Sequence, residues 1–157
     1  MDVFPKEMCY KGMMRITSKY PDVERRMTKN SNREATLREW QDLVNALMNQ
    51  IRQWAEEKNW TVVDQPKEIT EDRLGTYSLP ELTMRLPGGN LIVEPIGRDI
   101  VGADGRVDIS SFPSMTRMLL VRDKKRWLVK TDARVLWPKP WGRATFIELA
   151  NLLVSTQ

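Results

Sequence analysis

The sequence predicts an α+β domain in which an antiparallel β-meander of about five strands is packed by a long N-terminal amphipathic helix and a C-terminal helix. Three turn signals, Pro87-Gly88-Gly89-Asn90, Ala103-Asp104-Gly105 and Asp123-Lys124-Lys125, punctuate residues 80–131, and the Asp-Gly pair of the second readily takes the positive φ of a tight hairpin. Between them lie short segments that are β-branched or alternate apolar with polar, such as Leu82-Thr83-Met84-Arg85-Leu86 and Leu91 to Ile96. Apolar stripes with spacings of three and four flank this stretch on both sides. Short turns make neighbouring strands antiparallel, and a sheet of that kind commonly buries one face under helix.

Residues 1–34 are expected to form an N-terminal arm with a short helix, and residues 35–157 a single α+β domain. In the arm, Pro21 followed by Asp22 and Glu24 suits a helix first turn, because proline loses nothing at the first helical position and acids favour the positive end of the dipole. That helix is expected to end near Met27 or Thr28, with Lys29-Asn30-Ser31-Asn32-Arg33 as a polar connector. Thr36-x-x-Glu39 then has the form of a capping box opening a second helix. Its stripe of Leu37, Trp40, Val44, Leu47, Ile51 and Trp54 is expected to pack on the sheet; a seam between two copies of the chain, giving a homo-oligomer, is the alternative.

Trp60 to Val63 supplies a first strand, and the acid-rich stretch from Asp64 to Gly75, containing Pro66, is expected to be a surface loop. Met115 to Val121 and Trp127 to Thr131 flank the third turn. Trp137-Pro-Lys-Pro-Trp141 must be an edge or a loop, since each proline removes a backbone donor. Thr145-x-x-Glu148 resembles a capping box for a C-terminal helix with Phe146, Leu149, Ala150 and Leu153 on one face.

Composition removes whole classes of chemistry. The 157 residues include no histidine, which excludes Ser-His-Asp and Cys-His nucleophile activation and His-ligated zinc. The one cysteine, Cys9, has no partner for an intramolecular disulfide. No apolar run has the length of a membrane span, and the start of the chain lacks a signal-peptide order, so a cytoplasmic protein is expected. Formal net charge is +4, and between residues 115 and 143 nine Lys or Arg stand against two Asp. The basic charge is therefore concentrated in the C-terminal third.

Two functional readings follow. Basic residues interleaved with tryptophan suit a polyanion, because ammonium and guanidinium groups neutralise phosphates while aromatic rings stack on bases. Arg117, Arg122, Lys124, Lys125, Arg126, Lys130 and Arg134 are the candidates. The expected function is a non-catalytic binding or assembly module that contacts nucleic acid or an acidic protein partner through this basic face, with no cofactor, no metal and no membrane. The alternative rests on element order: helix, antiparallel strands and helix resemble the layout of the restriction-endonuclease-like core, which implies a metal-dependent nuclease. Glu81, Glu94, Asp108 and Lys130 would then be its participants, although no strand carries the Glu-x-Lys spacing that aims both groups at one metal-bound water. Gly97 to Asp108 is glycine-rich but lacks a phosphate-loop order and is expected to be a hairpin with a charged edge.

Overall fold

A computed structural model describes residues 21–131 and 139–155. Cys9, Arg134 and Trp137 lie outside the described residues. The chain forms two compact units, residues 1–38 and 39–157. Its described elements are α1 (Pro21–Glu57), β1 (Thr61–Glu71), β2 (Gly75–Leu86), β3 (Gly89–Gly97), β4 (Arg106–Phe112), β5 (Arg117–Asp123), β6 (Arg126–Thr131), β7 (Lys139–Pro140) and α2 (Arg143–Ser155). The strands form one sheet in chain order, every neighbouring pair antiparallel. This is the α+β meander expected from the sequence, with seven strands in place of about five.

Helix α1 starts at Pro21 with Asp22 and Glu24 in its first turn, as expected, but it continues unbroken to Glu57. The connector at residues 29–33 and the cap at Thr36 are therefore helix interior. No glycine or proline occurs between Asp22 and Glu57, so polar side chains alone do not interrupt the ladder of backbone bonds. In the first unit, residues 22–35 bury no side chain, and Val23 and Met27 are exposed. In the second, Trp40, Val44, Leu47, Met48, Ile51 and Ala55 are all buried within a single copy of the chain. Trp54, expected to be largely buried, is half-buried, with its ring against Trp141 and Phe146.

The stretch from Asp64 to Gly75 is not a loop. Residues 61–71 pair continuously with residues 75–85, and Pro66 lies opposite Pro80. Proline is tolerated here because β1 is an edge strand and β3 pairs only with Leu82–Leu86 of β2. The two prolines also mark a change of phase. Tyr77 and Leu79 are buried before Pro80, and Leu82, Met84 and Leu86 after it, so the two halves of β2 bury opposite sides of the strand.

Leu82, Leu91, Val93, Ile109 and Leu120 of the sheet are nearly inaccessible, and α2, with Phe146, Leu149, Ala150 and Leu153 buried, packs on β3 and β4. Residues 139–140 add an edge strand, as expected for Pro140. Helix α2 begins at Arg143, two residues before Thr145. The Thr145 hydroxyl donates to the Pro140 carbonyl (3.1 Å), and Gly142 accepts the Phe146 amide, so Thr145 is not the cap. Among the described residues, no helix is long and apolar enough to cross a membrane.

Candidate functional site

The residues that draw charge together do so around Trp40. An ideal Cβ on Gly105 would lie 2.2 Å from the Trp40 ring, so β4 can start flush against α1 only because residue 105 has no side chain. Immediately beside it, the Asp104 amide donates to the Arg122 carbonyl (2.7 Å) and the Arg122 amide to the Gly105 carbonyl (2.8 Å). The end of the β3–β4 connection is thereby pinned to the end of β5. The Arg122 guanidinium rests over Trp127, 5.4 Å from the ring centroid, and Trp127 in turn packs on Trp40 with centroids 6.1 Å apart.

A second set of bonds fixes the other wall. The buried Trp40 indole N–H donates to the Tyr77 hydroxyl (3.1 Å), which donates to the Glu71 carboxylate. Glu71 also accepts the backbone amides of Arg98 (3.0 Å) and Asp99 (2.7 Å). A Cβ on Gly97 would sit 3.0 Å from Glu71 Oε1, so this approach also relies on a glycine. Burial, followed by the Glu71 carboxylate, holds the Tyr77 hydroxyl far above the ordinary phenol range, keeping it a donor. Arg98 is thus presented from a loop anchored through its own backbone, with its guanidinium 3.8 Å from Asp99 and 3.9 Å from Asp104.

These elements enclose a cleft of about 280 Å³ lined by Glu39, Trp40, Leu43, Arg98, Asp104, Arg122, Lys124 and Lys125. Four cations face two carboxylates, so the cleft is net positive. Burial lowers the proton affinity of Arg122, opposed by the charges of Glu39 and Asp104; an arginine remains cationic regardless. Lys124 and Lys125 form the two-residue connection between Asp123 and Arg126, and among the described residues neither makes an ion pair.

Three of the seven basic residues singled out from the sequence, Arg122, Lys124 and Lys125, meet in this cleft. Arg117 stands at the far end of β5, opposite Ser110, with its guanidinium 3.6 Å from Asp108. Arg126 and Lys130 alternate with Trp127 and Val129 along β6 and so belong to the other face of the sheet. Arg134 lies outside the described residues. The described tryptophans pack on other rings: Trp40 on Trp127, Trp54 on Trp141, and both Trp60 and Trp141 on Phe146. Arg98, Glu39 and Asp104 were not singled out. In the sequence Arg98 and Asp104 belong to the charged edge between Gly97 and Asp108 and Glu39 to the Thr36-x-x-Glu39 pattern, and neither signal shows what will stand opposite it.

The acids and lysine of the nuclease alternative are distributed as follows. Glu94 and Asp108 are register partners on β3 and β4, Asp108 pairs with Leu119, and Leu119 pairs with Lys130. Lys130 therefore stands two strand spacings from Asp108, about 9–10 Å. Glu81 pairs with Gln65 at the other side of the sheet. Glu94 is bonded to Lys67, while Asp108, 2% exposed, takes a bidentate bond from Arg106 (2.7 and 2.8 Å). Among the described residues no three acids, cysteines or histidines group as metal ligands. Comparison with family models, curated proteins and solved structures finds no match to this chain.

Proposed function

We propose that the chain is a non-catalytic binding module that holds the phosphate backbone of a nucleic acid in the cleft at the β5–β6 turn. The observation that carries this reading is the convergence of Arg98, Arg122, Lys124 and Lys125 on one concave surface, with the two lysines uncommitted to any carboxylate among the described residues. Phosphate contacts position a nucleic acid without reading its sequence. Because the described tryptophan rings are used in packing, base stacking contributes little, and binding is expected to be tolerant of sequence. The proposal includes a cytoplasmic location. It is favoured over the nuclease alternative because Glu94 and Asp108 are already neutralised by Lys67, Arg106 and Arg117.

Counterion release supplies the test. Fluorescence anisotropy with short labelled DNA and RNA is expected to give micromolar binding, with log Kd rising against log salt at a slope of about 3 to 4 if all four cations engage phosphates. Lys124→Glu with Lys125→Glu should weaken binding by roughly tenfold or more and flatten the slope by about 2. Its thermal melting should stay close to that of the parent, because exposed substitutions rarely change stability by more than about 0.5 kcal/mol. If no nucleic acid binds with salt sensitivity while polyglutamate does, the cleft serves an acidic protein and this proposal is wrong.

A further inference from the structure

The β5–β6 turn is made from residues that its backbone disfavours. Lys124 and Lys125 have φ of 47° and 69°, both in the left-handed region. A two-residue hairpin with positive φ at both central positions selects Asn-Gly or Asp-Gly, because glycine has no Cβ to clash and a short polar side chain can bond locally. Lysine offers neither relief. Elsewhere at the turns of the described sheet this conformation falls to glycine, at Gly75, Gly88, Gly102 and Gly105, apart from Met115 in the β4–β5 connection. The lysines are also not held in place by their own contacts, being exposed and without ion pairs among the described residues. Strain that no local contact repays is characteristic of a functional position.

We propose that Lys124 and Lys125 are a two-lysine grip for internal phosphodiester groups, kept in the turn at the expense of the fold. The inference rests on the binding reading above and adds which residues carry it and what they select. An ammonium on a flexible stem is a point charge with three donors and no fixed fork, so it accepts phosphate oxygens from many directions. That suits a repeating backbone better than one oriented group, for which a bidentate arginine is the better ligand. Arg122 lies below, held against Trp127 and partly desolvated, where its attraction for an anion is least screened. Glu39 and Asp104 border the same space, so a dense multivalent anion meets repulsion there that single charges spaced along a strand avoid.

The deciding variant is Lys124→Asn with Lys125→Gly, which gives the turn the residues its backbone prefers. Two opposite effects are expected: the midpoint of thermal unfolding followed by circular dichroism should rise by about 2 to 4 °C or more, and affinity for labelled oligonucleotides should fall by roughly tenfold, with the salt slope reduced by about 2. Inorganic triphosphate should compete poorly against the oligonucleotide. If the parent binds nucleic acid and the variant binds it equally well, the grip is refuted while the cleft reading stands. An unchanged or lower melting midpoint refutes the strain. Absence of nucleic-acid binding by the parent refutes the function itself, and the grip with it.

Discussion

Leu86 and Gly89 are joined through Pro87 and Gly88, whereas Asp123 and Arg126 are joined through Lys124 and Lys125. Both are two-residue connections in the same sheet, and both take the backbone to positive φ, at Gly88 (101°) in the first and at both lysines in the second. What differs is the surroundings. A Cβ on Gly88 would stand 3.6 Å from Val154 of α2, so that turn closes over the packed layer and its residues satisfy backbone geometry. The lysine turn borders an open cleft, and its residues satisfy charge. The two turns therefore differ in what they border: Gly88 lies beside Val154 of α2 and keeps the residue its backbone prefers, whereas Lys124 and Lys125 border a cleft where the proposed function puts charge ahead of backbone preference.

The largest effect that tests this comparison is expected at Gly105, where packing and backbone both demand glycine. Its φ of 144° lies where side chains rarely go, and the added Cβ would collide with a Trp40 ring that is itself 1% exposed and hydrogen-bonded to Tyr77. Gly105→Ala should cost about 3 kcal/mol or more in urea denaturation, combining backbone strain with overpacking. A cost below about 1 kcal/mol would mean that the ring moves aside and the cleft floor is soft.

Gly88→Ala isolates the backbone part. The new methyl would make an ordinary contact with Val154, so the penalty should come from the positive φ alone, about 1 to 2 kcal/mol. This variant can break the comparison directly. If an alanine at a positive φ of 101° is tolerated without loss, the same conformation at Lys124 and Lys125 need not be costly, and their presence in the turn requires no functional reason.

The same contrast explains what could be read from the chain beforehand. The turns at Pro87-Gly88 and Ala103-Asp104-Gly105 were legible because proline and glycine mark backbone conformation locally, and Lys124-Lys125 because it lies in a charged run between two largely apolar segments, Met115 to Val121 and Trp127 to Thr131. The β1–β2 hairpin was hidden because its first strand contains Pro66 and three acids, a composition that suits an edge strand as well as a loop. The continuous α1 was hidden because polar residues 29–33 have a loop-like composition yet contain nothing that stops a helix. In the cleft, Arg122, Lys124 and Lys125 were visible as a charge run. Arg98, Glu39 and Asp104 were not, because they join it only through Trp40 seating on Gly105 and Glu71 capturing the Arg98 amide, contacts between distant parts of the chain.

The smallest expected effect concerns the loop that carries Arg98, which unlike the lysine turn is held by side chains. Arg73 donates to both oxygens of Asp99 (2.9 and 2.6 Å), and this bond, ahead of the charges of Arg73 and Arg98, keeps the Asp99 carboxyl below its ordinary value against the opposing effect of burial. A carboxyl depressed in the folded state contributes stability at pH above its unfolded value, about 3.9, and that contribution disappears as pH falls through the lower folded value. Side chains of Arg73 and Asp99 are 51% and 33% exposed, so solvent screening holds the effect to about 0.5 kcal/mol. Arg73→Gln should therefore lower the urea midpoint slightly at neutral pH and by progressively less below about pH 4, vanishing once Asp99 is protonated in both states. The same variant should loosen the presentation of Arg98 and weaken oligonucleotide binding by about two- to threefold, well short of the loss expected from the lysine turn. Equal destabilisation at neutral and acidic pH would show that Arg73 acts through packing of its stem, and the Arg98 and Asp99 amides would then owe their placement to the Glu71 carboxylate.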